Sequence, residues 1–169
     1  MKFTQRLALK EDLQEISNMF KAAIKLMESQ GIHQWDEIYP NEAILYDDIL
    51  KKQLYLCFLD NNLVSAFVLN NEFDKEYDSA DWKYTNCKYI IVHRLCVNPE
   101  IQNKGFGNKT VSLIENIALK NGFEAIRLDC FTGNPFAFKL YQKLGYAVKG
   151  YANFRKGKFY LMEKSIKKT

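Results

Sequence analysis

The chain has 169 residues, 47% hydrophobic and 26% charged, which suits one soluble domain with a single substantial core and excludes a disordered segment. Its 24 basic and 20 acidic residues leave a charge of +4, scattered except for the tail 164–168, which argues against a nucleic-acid partner. No apolar run approaches the ~18 residues that span a bilayer and Met1–Arg6 lacks a secretory h-region, so a cytoplasmic protein with no membrane partner is expected.

Phe3 to Leu9 reads as a strand, and a helix begins at Lys10-Glu11-Asp12, with Leu13, Ile16, Phe20, Ala23, Ile24 and Met27 at three-and-four spacing until Gly31 ends it. The segment Gly31 to Pro40 breaks that period, and Asn41 opens a second short helix through Ala43, Ile44, Ile49 and Leu50. Gln53–Leu59 and Leu63–Asn70 flank Asp60-Asn61-Asn62, a hairpin signal. Glu72 to Asn86 is polar and aromatic, and Lys88 to Val97 is the most continuous apolar strand.

Phe106 to Asn121 is helical, with Val111, Ile114, Ile117 and Ala118 on one face and Asn121-Gly122 as its stop. Glu124 to Phe131 alternates Ile126, Leu128 and Cys130 against Arg127 and Asp129, as a strand does. Asn134 suits an N-cap, Pro135 the first helical turn and Gly145 a left-handed C-terminal residue, so residues 135–144 form a capped helix. Tyr146–Tyr151 and Lys158–Ser165 close the chain as a hairpin. No repeat or linker interrupts the order β-α-α-β-β-β-α-β-α-β-β, so one domain over 1–169 is expected. Cys57, Cys87, Cys96 and Cys130 show no C-x-x-C spacing, which argues for reduced thiols and against disulfides or a metal site.

The stretch from Val97 to Gly107 joins the apolar strand through a Pro turn to a glycine loop that opens a helix. A helix start leaves several backbone N–H groups without intrahelical partners and carries partial positive charge, so it suits a phosphate. Two common phosphate loops fail on spacing. G-x-G-x-x-G needs glycine where Thr110 stands, and G-x-x-x-x-G-K-[ST] needs glycine and lysine where Gln102 and Asn108 stand. The pattern present, Gln102-x-x-Gly105-x-Gly107 after Val97-x-Pro99, resembles the [QR]-x-x-G-x-[GA] loop of the GCN5-related N-acetyltransferases (GNAT). Asn134 to Tyr146 resembles the same family's N-x-x-A-x-x-[FL]-Y-x-K-x-G-[FY] segment, in the same order along the chain.

The resemblance implies an α/β (α+β) three-layer fold with a mixed central sheet of about seven strands and helices on both faces. It implies acetyl-coenzyme A as acyl donor and no metal. Leu95 and Val97 would offer backbone groups to the pantetheine arm, lying along the strand like an added strand. Gln102, Asn103, Lys104, Gly105, Phe106, Gly107 and Asn108 would surround the pyrophosphate, and Asn134, Ala137, Phe138 and Lys143 would contact pantetheine or nucleotide. Tyr141 falls on the family's tyrosine, the proton donor to the departing thiolate, since phenol and thiol pKa values of roughly 10 and 8.5 are close enough for transfer.

Some family members carry a glutamate base where this chain has Ile91. His93, two residues on and on the same face of a regular strand, can serve instead, directly or through water. Trp35, Asp36 and Tyr39, with Glu37 and the acidic loop 72–86, suggest a wall for a cationic amine. Three readings remain open: an N-acetyltransferase for a small cationic amine, an acetyltransferase for a protein N-terminus or lysine, and a non-catalytic acyl-coenzyme A sensor. A homodimer is compatible with the sequence, which does not fix the oligomeric state.

Overall fold

The computed structural model describes residues 2–101 and 104–167. Seven strands, β1 (Phe3–Leu7), β2 (Leu54–Leu59), β3 (Asn62–Asn70), β4 (Tyr89–Val97), β5 (Ala125–Phe131), β6 (Ala147–Phe154) and β7 (Gly157–Ser165), form one mixed sheet in the order β1-β2-β3-β4-β5-β7-β6. Four helices accompany them: α1 (Leu13–Ser29), α2 (Glu42–Leu50), α3 (Phe106–Lys120) and α4 (Pro135–Lys143). This is the expected element order, with short 3-10 turns added at Lys10–Asp12, Lys75–Ser79 and Pro99–Ile101. Among the described residues no helix is long and apolar enough to cross a membrane. Two compact units divide the chain within β4: Met1–Leu69 with Arg94–Thr110, and Asn70–His93 with Val111–Thr169.

In the first unit the β2–β3 hairpin turns at Asp60 and Asn61, both with positive φ (48° and 71°), the backbone that matches strand twist. The apolar stripe of α1 buries Ile16, Phe20 and Ala23 against Leu54, Leu56, Ala66 and Val68. Asn41 caps α2 by accepting from the Ile44 N–H at 3.0 Å. Leu45 and Ile49 of α2 join the same core, as does Cys96.

In the second unit the first half of β4 pairs in parallel with β5, Tyr89 opposite Ala125 through Val92 opposite Leu128, and β5 and β6 both run antiparallel to β7. Asn134 caps α4 through the Ala137 N–H at 3.1 Å, and Gly145 at φ 88° ends the helix. The alternation in β5 does not turn Arg127 to water. Arg127 is 6% exposed and lies 3.7 Å from the Tyr89 ring centroid and 4.4 Å from that of Trp82. It bonds Glu163 at 3.2 Å and the Tyr84 carbonyl at 2.9 Å, while Glu163 also accepts from the Lys83 N–H. A buried charge requires such a complete set of partners. The acidic loop 72–86 is therefore pinned to β5 and β7 by a cation packed between aromatic rings.

Three of the four cysteines are buried, and all are free. Burial pushes the Cys57 thiol up to about 11 and Cys130 up to about 12, so they are neutral packing groups at physiological pH.

Candidate active site

In the first unit, β4 makes an abrupt turn at Arg94, whose φ of 52° is left-handed although it is not glycine. Such a backbone costs about 1–3 kcal/mol and persists only where its surroundings over-determine it. The side chain supplies that constraint. Nε donates to Asp48 Oδ2 at 2.8 Å, Nη2 to Asp48 Oδ1 at 2.6 Å and Nη1 to the Tyr39 hydroxyl at 2.7 Å. Burial lifts the Asp48 carboxyl and the Arg94 bonds only partly oppose it. For Arg94, burial lowers the pKa, but Asp48 and Tyr39 together more than offset it. These shifts pull in different senses, and the bidentate contact argues for an ionised pair at neutral pH. Leu95 and Val97 follow the kink as half-buried residues.

Asn98 then fixes the exit of β4. Its N–H bonds the Val64 carbonyl at 2.8 Å, its Nδ2 the Leu63 carbonyl at 3.0 Å, and its Oδ1 accepts from the Glu100 N–H. Gln102 and Asn103, two of the expected pyrophosphate residues, lie outside the described residues. Lys104 is exposed, and Gly105 at φ 78° opens α3 by accepting from the Lys109 N–H at 3.2 Å. The N–H groups of Phe106, Gly107 and Asn108 thus fall in the first turn, where helix geometry gives them no partner. Among the described residues, chain neighbours aside, no atom lies within 4 Å of where a Gly105 side chain would start. Phe106 is buried and stacks on Phe3 at 6.3 Å, and Thr110 Oγ1 sits 2.8 Å from Ser65 Oγ, holding this turn on β3.

The residues present fit a pyrophosphate. The helix start is open, glycine gives close backbone approach, and the buried Asn108 Oδ1 has no hydrogen-bond partner among the described residues. A half-turn of that amide presents Nδ2 as a donor.

Of the residues expected to face an acceptor, Trp35 is 8% exposed and packs on Phe20 at 5.4 Å, within the core. Asp36 Oδ1 accepts from the Ile38 and Tyr39 N–H groups, shaping the turn. Tyr39 directs its hydroxyl to Arg94. Sequence reasoning missed Asp48 and Arg94. The only signal was an arginine inside the most apolar strand.

In the second unit, α4 carries Asn134, Ala137, Phe138, Tyr141 and Lys143. The Asn134 side chain is occupied in capping, Ala137 is half-buried, Phe138 stacks on Tyr160 at 4.4 Å and Lys143 is exposed. Tyr141 is 8% exposed and meets Tyr146 edge-on at 5.7 Å. Burial raises its pKa well above the ordinary phenol value, and Cys130 and Asp129 add to that. It therefore remains a protonated phenol throughout the physiological range. Ile91 is fully buried with Tyr77, Ala152 and Leu161, and His93 is the half-buried last residue of this unit's share of β4. Sequence reasoning also missed the Tyr77 hydroxyl, which donates to Asp129 Oδ2 at 2.6 Å. No local pattern joins residues that far apart in the chain.

No match was found among curated protein sequences. Among solved structures, the chain is similar to a GNAT-family acetyltransferase from Streptococcus agalactiae (21% identity, 98% of this chain and 96% of that one covered, TM-score 0.86). It is also similar to the PaiA N-acetyltransferase of Thermoplasma acidophilum solved with coenzyme A (20%, 98% and 99%, 0.73). A third likeness is to a spermidine N-acetyltransferase SpeG chimera of the Vibrio cholerae and human proteins (17%, 98% and 96%, 0.71). The model of the Acetyltransferase (GNAT) family matches residues 16–146, and the chain belongs to that family.

Proposed function

We propose that this chain is an N-acetyltransferase of one domain over residues 1–169, moving the acetyl group of acetyl-coenzyme A to the primary amine of a small cationic acceptor. The observation that carries the reading is the start of α3 after a kinked β4, where glycine at φ 78° has open space around it and the buried Oδ1 of half-buried Asn108 has no partner among the described residues. Backbone N–H groups there hold the pyrophosphate, with Gln102, Asn103 and Lys104 beside them. Leu95 and Val97 supply backbone groups to the pantetheine arm, and a backbone N–H past the kink polarises the thioester carbonyl.

Tyr141 is the proton donor to the leaving sulfur. Burial keeps its proton in place at neutral pH and widens the gap to a thiol, so the proton passes to sulfur as the C–S bond breaks, where the same burial disfavours a bare thiolate. His93 stands two residues past Ile91 in β4 and relays the proton of the amine, directly or through a water. Tyr39 and Asp36 shape the acceptor wall with the core-packed Trp35 behind them. The acidic segments and the spermidine enzyme among the structural relatives support a cationic acceptor.

The test is thiol release from acetyl-coenzyme A against amines, amino acids and peptides, with coenzyme A binding measured calorimetrically on the same protein. Amine-dependent release supports the reading. Binding without release for any acceptor would favour a sensor, release with peptides alone would move the acceptor to protein, and absence of binding would refute the phosphate cradle.

A further inference from the structure

The reaction proposed above lacks a carboxylate base at Ile91, whose side chain is fully buried in an apolar cluster. Another carboxylate stands on β5. The parallel ladder ends with Val92 opposite Leu128, and the next residues along the two strands are His93 and Asp129. Asp129 is half-buried and accepts a 2.6 Å hydrogen bond from the hydroxyl of Tyr77, itself 3% exposed.

Tyr77 is not a chance surface contact. Its 3-10 turn is fixed by Trp82 Nε1 donating to the Tyr77 carbonyl at 2.8 Å and by the Asp81 N–H donating to the Lys149 carbonyl at 2.8 Å. Ala80 rests so closely on Gly150 that a side chain there would begin 3.0 Å from the Ala80 Cα. The loop that the sequence reads as acidic and aromatic therefore delivers one aromatic hydroxyl to one carboxylate.

We propose that Asp129, held by Tyr77, is the terminal acceptor of the amine's proton in this N-acetyltransferase, taking the place of the carboxylate missing at Ile91. The inference rests on the transferase reading. The acceptor's ammonium gives one proton to the Asp129 carboxylate by way of His93 or a bound water. The freed lone pair forms the C–N bond to the thioester carbonyl carbon, the C–S bond breaks with its electron pair on sulfur, and Tyr141 protonates the sulfur. Tyr141 regains a proton from the second N–H through solvent, and Asp129 releases its own to solvent, so each turnover yields amide, free thiol and one proton.

The charged and titratable groups near Asp129 include Tyr77 from the 3-10 turn, Cys130 beside it, Tyr141 from α4, the Arg127–Glu163 pair two residues back in β5 and, next along β4 from the Val92–Leu128 couple, His93. Asp129 adds to the raised pKa of Tyr141, which places the donor to sulfur within its electrostatic reach. A hydrogen bond from Tyr77 to the charged carboxylate favours that form, so removing the hydroxyl raises the carboxyl pKa.

The test uses Asp129→Asn and Tyr77→Phe with two acceptors: the alkylamine giving the fastest thiol release, and methoxyamine, which is already neutral at pH 7. Asp129→Asn should bind coenzyme A as the parent does and lose about 10²–10⁴-fold in kcat/KM with the alkylamine. With methoxyamine the loss should be under about tenfold, because no ammonium proton has to be removed. Tyr77→Phe should move the acidic limb of the alkylamine pH–rate profile upward. A loss under threefold with the alkylamine, or equal losses with both amines, would overturn the proposal, the latter marking a structural role. If the parent releases no thiol with any amine, the transferase reading and this inference fail together; if the parent turns over and Asp129→Asn is unaffected, only the inference fails.

Discussion

Asp48→Ala tests the reasoning about the kink in β4. The substitution removes two charge-assisted hydrogen bonds, at 2.8 and 2.6 Å, and leaves the Arg94 guanidinium, whose side chain is 12% exposed, bonded to the Tyr39 hydroxyl. Breaking a buried pair from one side costs about 3–5 kcal/mol. The remaining Tyr39 bond and the slight exposure of Arg94 put this case near about 3 kcal/mol. In a chain this long each kcal/mol moves Tm by about 2–4 °C, so a fall of roughly 6–12 °C is expected. Arg94→Gly removes the partner and relieves the left-handed backbone, which costs a non-glycine residue about 1–2 kcal/mol. The double variant should then be less destabilised than the sum of the single ones by about 2 kcal/mol, measured by urea and thermal unfolding. Additivity within about 0.5 kcal/mol, or a Tm loss below about 2 °C for Asp48→Ala, would refute the pair as the constraint on the kink.

Tyr141→Phe should lower kcat by about 10²–10⁴-fold with coenzyme A affinity unchanged by calorimetry, and equal rates where chemistry limits turnover would remove Tyr141 from the mechanism. Gly105→Val has room for its side chain but not the backbone, at φ 78°, so coenzyme A binding should weaken at least tenfold, with a stability cost of about 1–2 kcal/mol. Gly150→Val meets Ala80 backbone at 3.0 Å and should loosen the 72–86 loop, read as faster amide exchange at Asp81. The Asp12 carboxyl is held below its usual pKa, first by the Arg6 side-chain hydrogen bonds. A depressed folded-state pKa gives stability that is present above the unfolded value and lost as pH falls through the folded one. Asp12→Asn should therefore flatten the loss of stability below about pH 4 seen in acid titration of the parent.

The order of strands and helices was legible in the chain because it rests on local physics: three-and-four spacing in α1 and α3, alternation in β5, turn residues at Asp60-Asn61, and the Asn134-Pro135 start with Gly145 stop of α4. The glycine loop proposed to hold the phosphates was legible for the same reason, since a strand, a Pro turn and glycines opening a helix are contiguous. What only the tertiary structure decided are the contacts between segments far apart in sequence. Arg94, within the strand the sequence reads as the most continuously apolar, takes its partners Asp48 and Tyr39 from segments far along the chain. Alternation put Arg127 on the face opposite Ile126 and Leu128, where Trp82, Tyr89 and Glu163 enclose it, because alternation fixes which face a side chain takes and not what covers that face. Tyr77 and Asp129, 52 residues apart, meet only because the loop is fastened to β6 and β7. Local periodicity determines elements within a few residues, whereas a buried charge or a carboxylate on a sheet face acquires its role from desolvation and partners that only the folded chain assembles.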